Sequence, residues 1–557
     1  MTLCLKEKSK TLNALCKGFL LELKNLITLN SLILSSIEKK TPVDSIFKTL
    51  TFIIIARTFF ELLLEKRHSF KYYPDFYANI VSYIHIYLFW LCLFFTVAIL
   101  ITIFLKLQFV KSMKLALIFF PIILIPPFAD FVLTRGEGSF LMYSFEIATF
   151  PYSYLNCFNP FAKIETVTAG VRLEIAIAFL GSFYISFCVF KKGILRSLFL
   201  AVCIYTVILL YGYLPALYKV SGMDFYALSG KSVSGITLPQ KFLFMYLLPV
   251  ILISWLTIYL LFKENRENLK SIFSFFYPSR LLFYILLLAF GFIFAANQSH
   301  AYPAILNIED ILKLLLAVIS IKLLFCYSKI INDIYDIEID MISNKERPFV
   351  KNTISVEYAH QIKNIMLIIS FIFAIAAEIS FIFYWLFMLS ASYVYSVPPL
   401  RLRRYYPVGH LILSSIGIST FLAGGALINS YEVYIQLQQK EVLLYIFSAF
   451  FFISHVKDFK DIEGDKAAGV QNIMNLISAP KTMGIIFISG FTLSTYLIAR
   501  ILNIANAAMI IGMLLFLSGS VYYILKTKSI SRLDRLLMLA LIFLIYLTCL
   551  WIYQITP

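Results

Sequence analysis

Asp333-Ile-Tyr-Asp-Ile-Glu-Ile-Asp340 closes one long apolar run, and Asp458-Phe-Lys-Asp-Ile-Glu-Gly-Asp465 closes another. The pattern D-x-x-D-I-E-x-D thus occurs twice. On a continuous helix its aspartates at i, i+3 and i+7 fall within about 60° of one another, because each residue advances about 100°. Each copy then presents three carboxylates on one face. Glu338 and Glu463 point about 140° from the first aspartate of their copy and are read as solvated or salt-bridged. Six carboxylates on two helix ends repel strongly at low dielectric, so they must be protonated, hydrated or neutralised by cations.

The surroundings of the two copies set the class of protein. Of 557 residues, 60% are hydrophobic and only 14% charged, and the mean hydropathy is +0.84. Soluble domains carry nearer a quarter charged residues, so this is a polytopic membrane protein, and runs of about 20 apolar residues are read as spanning helices, an all-α expectation. The net charge of +17 comes mostly from Lys and Arg between apolar runs, where cytoplasmic loops and contacts with anionic membrane lipids place them; nucleic acid is not an expected partner. The eight cysteines include no C-x-x-C pair and read as small core residues, not as a zinc site or a disulfide framework. Lys17, Glu22 and Lys24 interrupt the N-terminal apolar run, and no small-residue cleavage site follows, so no cleavable signal is expected. Leu12, Leu15, Phe19, Leu23, Leu26 and Ile27 predict an amphipathic surface helix instead.

At about 20 residues per span, runs begin near residue 79 and form two blocks. Residues 1–265 hold five spans, near 79–105, 115–133, 174–190, 197–218 and 242–262, with a weaker run at 139–155 as a sixth span or re-entrant segment. This block has no assigned function. The charged stretch 263–270 reads as a linker. Residues 270–557 hold about nine spans, near 281–297, 309–331, 360–376, 379–396, 408–428, 441–457, 483–502, 504–525 and 535–554. In this block every second gap is basic and the others nearly lack Lys and Arg, which puts both aspartate clusters on the cytoplasmic face.

Hard divalent cations with oxygen ligands suit such carboxylates. Mg²⁺ prefers a few carboxylates, several waters and substrate phosphates, which fits two facing clusters with a diphosphate between them. Lys345, Arg347, Arg401, Arg403, Arg404 and Lys466 lie close by in sequence and could neutralise the remaining phosphate charge. If the organic part is allylic, the carbon–oxygen bond can ionise to a resonance-stabilised cation that a second substrate captures. That cation needs a dry pocket with electron-rich faces; the sequence is 17% aromatic, with Tyr393 and Tyr395 just before the basic loop. Lys329 either contacts a diphosphate or carboxylate or snorkels to the interface, and Lys322 lies deeper on nearly the same face. The six histidines show no ligand spacing, and His455 reads as an interfacial filler. Asp130, after Pro121, Pro126 and Pro127, reads as part of a loop at a span end, with a broken helix lining a cavity as the alternative.

Asn332-Asp333-x-x-Asp336-x-x-x-Asp340 followed by Asn344-x-x-Arg347-Pro348 resembles the first aspartate-rich signature of the UbiA-type intramembrane prenyltransferases. Lys457-Asp-Phe-Lys-Asp-Ile-Glu-Gly-Asp465-Lys-x-x-Gly469 resembles the second. Tyr395-Ser396-Val-Pro-Pro-Leu-Arg401-Leu-Arg403 is similar to the family's Tyr-Ser-x-Pro-Pro loop, with Arg403 where a lysine is more usual. The resemblance covers roughly residues 270–557. It implies a helical bundle with a central cavity, Mg²⁺ as cofactor, a polyprenyl diphosphate donor such as geranylgeranyl diphosphate, and a lipophilic acceptor. It also implies metal roles for Asp333, Asp336, Asp340, Asp458, Asp461 and Asp465, with Asp336 and Asp461 as catalytic residues. Asn332, Arg347, Tyr395, Ser396, Arg403 and Lys466 are the expected substrate contacts. Two departures stand out: Pro278-Ser-Arg280 replaces the usual Arg-Pro at the first span, and Gly469-Val-Gln-Asn472-Ile-Met474 replaces Gly-x-x-Thr-Leu-Pro. The second motif is similar to members that prenylate glycerophospholipids and to members acting on aromatic rings or tetrapyrroles. Two other readings are kept: a cation-coupled transporter using the repeated carboxylates, and a catalytically inert membrane scaffold.

Overall fold

The computed structural model describes residues 28–39, 41–64, 76–139, 143–159, 161–164, 167–221, 245–264, 278–298, 308–428, 439–473, 477, 479–504, 506–527 and 530–555. The predicted amphipathic N-terminal helix and most of the 263–270 linker lie outside them. Throughout the described residues the chain is helical, without strands. Twelve of the described helices are long and apolar enough to cross a membrane, as expected where each backbone polar group must find its partner inside its own helix. Contacts divide the chain into two compact units, one holding the described residues up to 264 and the other those from 278 onward.

In the first unit the helices Phe76–Leu105, Ala169–Tyr184, Ile194–Gly212 and Leu247–Glu264 follow the apolar runs. Two expectations fail here. Of the two alternatives for the 139–155 run the sixth span fails, because its described part holds only a 3₁₀ turn and the helix Phe150–Asn156, which at 1.5 Å per residue is about 10 Å long. Asp130 is not in a loop. It lies inside the helix Ile125–Leu133, is buried, and accepts hydrogen bonds from Thr168 Oγ1 at 2.5 Å and Gly170 N at 2.7 Å, pinning the start of helix Ala169–Tyr184. The sequence also hid the helix Val43–Leu64, whose hydropathy is lowered by Asp44, Lys48, Arg57 and Glu61. Arg57 and Glu61, one turn apart, form a buried ion pair, and the guanidinium lies 4.6 Å from the Trp90 ring.

The second unit contains nine long helices among its described residues: Pro278–Gln298, Ile308–Tyr335, Val356–Ala377, Ile379–Ser396, Val408–Ala426, Lys440–Ser454, Pro480–Ile501, Ala507–Lys526 and Leu536–Ile555. Helix Val408–Ala426 is the most enclosed, and packs against Pro278–Gln298, Ile379–Ser396 and Lys440–Ser454. It approaches Pro278–Gln298 so closely that a Cβ on Gly291 would stand 1.9 Å from Phe421 O, and one on Gly424 2.2 Å from Leu288 O. Phe283, Phe294, Phe421, Ile453, Phe459, Phe487 and Phe491 belong to one buried apolar cluster. The acidic motifs lie at the C-terminal ends of Ile308–Tyr335 and Lys440–Ser454.

Candidate active site

Neither acidic motif continues as one helix. Helix Ile308–Tyr335 stops just before Asp336, whose backbone (φ −107°, ψ 9°) starts the short helix Ile337–Ser343. The second copy breaks in the same place: His455–Lys460 is a 3₁₀ turn, and Asp461 (φ −102°, ψ 3°) starts Ile462–Ala467. The three aspartates of a copy therefore do not share one helical face, because the break at the second re-aims those that follow.

The two short helices pack against each other. Gly464 stands where the first copy has Ile339, and the reason is steric: a Cβ at Gly464 would meet Ile339 O at 2.7 Å and Ser343 Oγ at 2.5 Å. Gly464 N–H donates to Ser343 Oγ at 2.7 Å. Asn344 ties the motifs together, its Nδ2 donating to Asp340 Oδ1 at 2.9 Å and Asp461 Oδ1 at 2.6 Å. Arg403 does the same from the Tyr-Ser-x-Pro-Pro loop, pairing with Asp336 and, at 3.5 Å, with Asp465. Gln471 N–H to Arg404 O, 3.0 Å, joins that loop to the segment after the second motif.

These elements surround a cavity of about 240 Å³. Asp336, Asp340, Asp458, Asp461 and Asp465 line it, as do the cations Arg280, Lys329, Arg347, Arg403 and Lys457 and the polar residues Asn332, Tyr395 and Ser396. Asp333 lies beneath the lining, buried and paired with both Lys329 and Arg347. Arg347 also reaches Asp340 Oδ2 at 3.5 Å. Arg401 Nη2 donates to Asp336 Oδ1 at 2.9 Å from a left-handed backbone with φ 38°, and Asn332 Nδ2 donates to Asp336 Oδ2 at 2.6 Å.

Several sequence expectations are corrected. Lys466 is exposed and does not line the cavity; one step beyond Asp465 turns it about 100° around the helix. Lys345 and Lys322 are exposed as well. Tyr393 is 51% exposed, since two helical steps set it about 160° from the inward Tyr395. Glu338 and Glu463 are exposed, as read.

Sequence reasoning missed several contributors. Arg280, noted only as a departure, lines the cavity. Asn472, the other departure, donates to Asp465 Oδ2 at 2.8 Å. Lys457 donates to the Tyr395 hydroxyl. His410 and His455, set aside for want of ligand spacing, are buried and stacked at 3.6 Å, and His410 Nε2 lies 3.1 Å from Asp458 Oδ2. For Arg280 and Asn472 the departure from the family pattern was itself the available signal.

The electrostatics follow from burial. Asp340 and Asp465 lie beyond the spans that precede them. Burial pushes the Asp340 carboxyl up to about 6 against the pull of Arg347. Burial, with Asp458 and Asp461 nearby, pushes Asp465 up to about 7 against Arg403. Burial alone would lower Arg403, but Asp336, Tyr395, Asp465 and Asp461 carry it above its ordinary value.

The donor set suits a hard divalent cation. Five motif aspartates put carboxylate oxygens on the cavity wall, the ligand type such a cation takes; behind the wall, Asp333 Oδ2 and Asn344 Oδ1 are buried acceptors with no hydrogen-bond donor among the described residues. Among the described residues no three Asp, Glu, His or Cys are gathered as a ready metal set, because Arg347 and Arg403 stand between the carboxylates.

A UbiA prenyltransferase family model matches residues 284–545. Residues 284–545 form a UbiA prenyltransferase family domain. Digeranylgeranylglyceryl phosphate synthase of Methanocaldococcus jannaschii is 31% identical over 163 residues, 29% of this chain and 54% of its own length. The protein of the same name from Sulfolobus acidocaldarius is 27% identical over 237 residues, 41% of this chain and 74% of its own. Chloroplastic chlorophyll synthase of Arabidopsis thaliana is 33% identical over 175 residues, 30% of this chain and 44% of its own. The chain spans about half the length of most curated relatives it matches. Among solved structures, a UbiA homolog from Archaeoglobus fulgidus bound to GPP and Mg²⁺ is 18% identical, covers 50% of this chain and 99% of its own, and has a TM-score of 0.36.

Proposed function

We propose that the UbiA domain transfers a prenyl group from a polyprenyl diphosphate, such as geranylgeranyl diphosphate, to a lipophilic acceptor on the cytoplasmic side of the membrane, with Mg²⁺ as cofactor. The observation that carries this reading is the meeting of both aspartate motifs and the Tyr-Ser-x-Pro-Pro loop around one cavity. Phe283, Phe450 and Ile453 separate that cavity from an apolar one of about 120 Å³. A charged head and an isoprenoid tail would divide between such compartments. The basic gaps that flank both motifs support the cytoplasmic side.

In this reading Asp336, Asp340, Asp458, Asp461 and Asp465 would hold the cation from the cavity wall, with Asp333, the sixth motif aspartate, behind them. Magnesium, when bound, offsets the charge of the diphosphate and so makes it a better leaving group. Arg347 and Arg403 each bridge two carboxylates, and both can swing a guanidinium onto phosphate oxygens. Lys329, Lys457 and Arg280 add positive charge along the same wall. When the allylic carbon–oxygen bond breaks, its electron pair leaves with the diphosphate. Tyr284, Tyr395 and Phe450 line the cavity, and aromatic rings on its wall would stabilise the cation. The acceptor adds to that cation and loses a proton. Mid-membrane carboxylates would suit a transporter, but these motifs begin at helix ends.

The test incubates the folded full chain with radiolabelled geranylgeranyl diphosphate, Mg²⁺ and a lipid extract. EDTA-sensitive prenyl transfer or donor hydrolysis is expected, and absence of both removes the reading. Asp336→Ala and Asp461→Ala should each abolish turnover in monodisperse protein; survival of activity in both would displace the ligand assignment. The relatives carry two different names, so lipid mass spectrometry after gene deletion is the measurement that assigns the acceptor.

A further inference from the structure

Asp458 is held differently from the other motif aspartates. Asp333, Asp336, Asp340 and Asp465 pair with lysine or arginine, and Asp461 with an asparagine. Long side chains on a cavity wall can change partners. Asp458 Oδ2 instead meets the Nε2 of His410 at 3.1 Å, from inside the most enclosed helix of the unit. His410 cannot easily turn away. Its Nδ1 is 2.8 Å from Ser454 Oγ, and its ring stacks on His455 at 3.6 Å with 12° between planes. His455 stacks in turn on Phe487 at 4.2 Å and its Nδ1 meets Phe451 O at 2.7 Å. Facing a carboxylate, His410 Nε2 must carry the proton and donate. The other oxygen, Asp458 Oδ1, receives no hydrogen bond among the described residues, and Asp458 lines the cavity.

We infer that His410 is a positioning residue: it clamps one oxygen of Asp458 so that the other is presented to a divalent cation. The role rests on the Mg²⁺ reading given above. Outer partners that fix a ligating carboxylate contribute about 10- to 100-fold to metal affinity. The ring stack supplies rigidity, and the Nε2–H supplies the bond.

Two substitutions separate those parts. His410→Phe keeps a plate against His455 and removes the donor. His410→Gln removes the plate and places an amide N–H near the Nε2 position. Mn²⁺ uptake by the full chain in detergent, with inorganic diphosphate present, is read from the loss of the free Mn²⁺ electron paramagnetic resonance signal. The Phe variant should bind about 10- to 100-fold more weakly than the wild type, and the Gln variant should recover most of that loss. Ser454→Ala, which frees the far ring nitrogen without touching the carboxylate, should weaken binding in the same direction by less. Wild-type affinity in the Phe variant overturns the role, and so does equal weakening in Phe and Gln, which would mean packing alone. A wild-type chain that takes up no Mn²⁺ removes the metal reading of the whole site, and this role with it.

Discussion

Asp465 at about 7 and Asp340 at about 6 give the site a pH signature. Both lie above the value of about 3.9 for an unfolded aspartate. Between about pH 4 and 7 these two positions therefore hold more protons in the folded chain than in the unfolded one. The stability these groups contribute is fully present below about pH 4 and is lost as pH rises through about 6 to 7. Cation binding runs the opposite way, because the carboxylates must be ionised to receive it. Without divalent cation the melting temperature should fall from about pH 5 to about 8, while the gain from Mg²⁺ and diphosphate should grow; Asp465→Asn should flatten the upper part of both curves. The arginines lead to a second expectation. Arg347 and Arg403 occupy positions between carboxylates, so under the proposed function Mg²⁺ alone would compete with two guanidinium groups, whereas a diphosphate would draw them off. Mg²⁺ and diphosphate should each tighten the other's binding by about 5- to 150-fold, the usual range of coupling between sites, and calorimetric titration of each in the presence of the other measures it. Independent binding would mean that the arginines stay where they are. Arg347 and Arg403 were expected at the candidate site from their motifs, and both line the cavity. Their carboxylate partners were not legible, because sequence spacing does not say which charge a long side chain will choose.

The spans were legible at the scale of elements because a run of about 20 apolar residues has few folded alternatives in a bilayer. The breaks at Asp336 and Asp461 were not, since D-x-x-D-I-E-x-D has neither proline nor glycine at its centre to mark them. They reflect tertiary packing, in which the two short helices must come together. Gly464 is the contact that permits this. Gly464→Ala would drive a methyl group toward Ile339 O and Ser343 Oγ, and both are held within a helix, so the motif helices must separate. A cost of about 1–3 kcal/mol is expected for such overpacking, read as a lower unfolding midpoint. Loss of the proposed prenyl transfer should exceed what that destabilisation explains, because Asn344 and Arg403 can no longer span both motifs. Ile339→Ala, on the facing helix, removes side-chain volume without closing that gap and should leave more activity. Equal activity in the two variants would mean that helix separation is not what the glycine prevents. The glycine was visible in the sequence as the one difference between the two D-I-E-x-D runs, but its meaning required the partner helix.

The apolar core of the second unit, from Phe283 to Leu547, is drawn from that unit alone, and so are all the residues that line its charged cavity. A core and a site built from one stretch of chain are the marks of an independently folding domain. The first unit has its own buried interior, organised around Arg57, Glu61 and Asp130. The sequence under-read that unit for a physical reason. Asp44, Lys48, Arg57 and Glu61 spread charge along the whole of Val43–Leu64, whereas most charges of the second unit fall near span ends, where they help delimit the spans. Residues 266–557 expressed alone should therefore be monodisperse in detergent and unfold in one cooperative step. They should also bind Mn²⁺ with inorganic diphosphate within a few-fold of the full chain's affinity, since every cation and carboxylate on the cavity wall is retained. Size-exclusion chromatography and the resonance titration measure both properties. An aggregated or metal-blind fragment would show that the division into two compact units does not mark two independent folding units, and that the first unit is part of what holds the carboxylates in place.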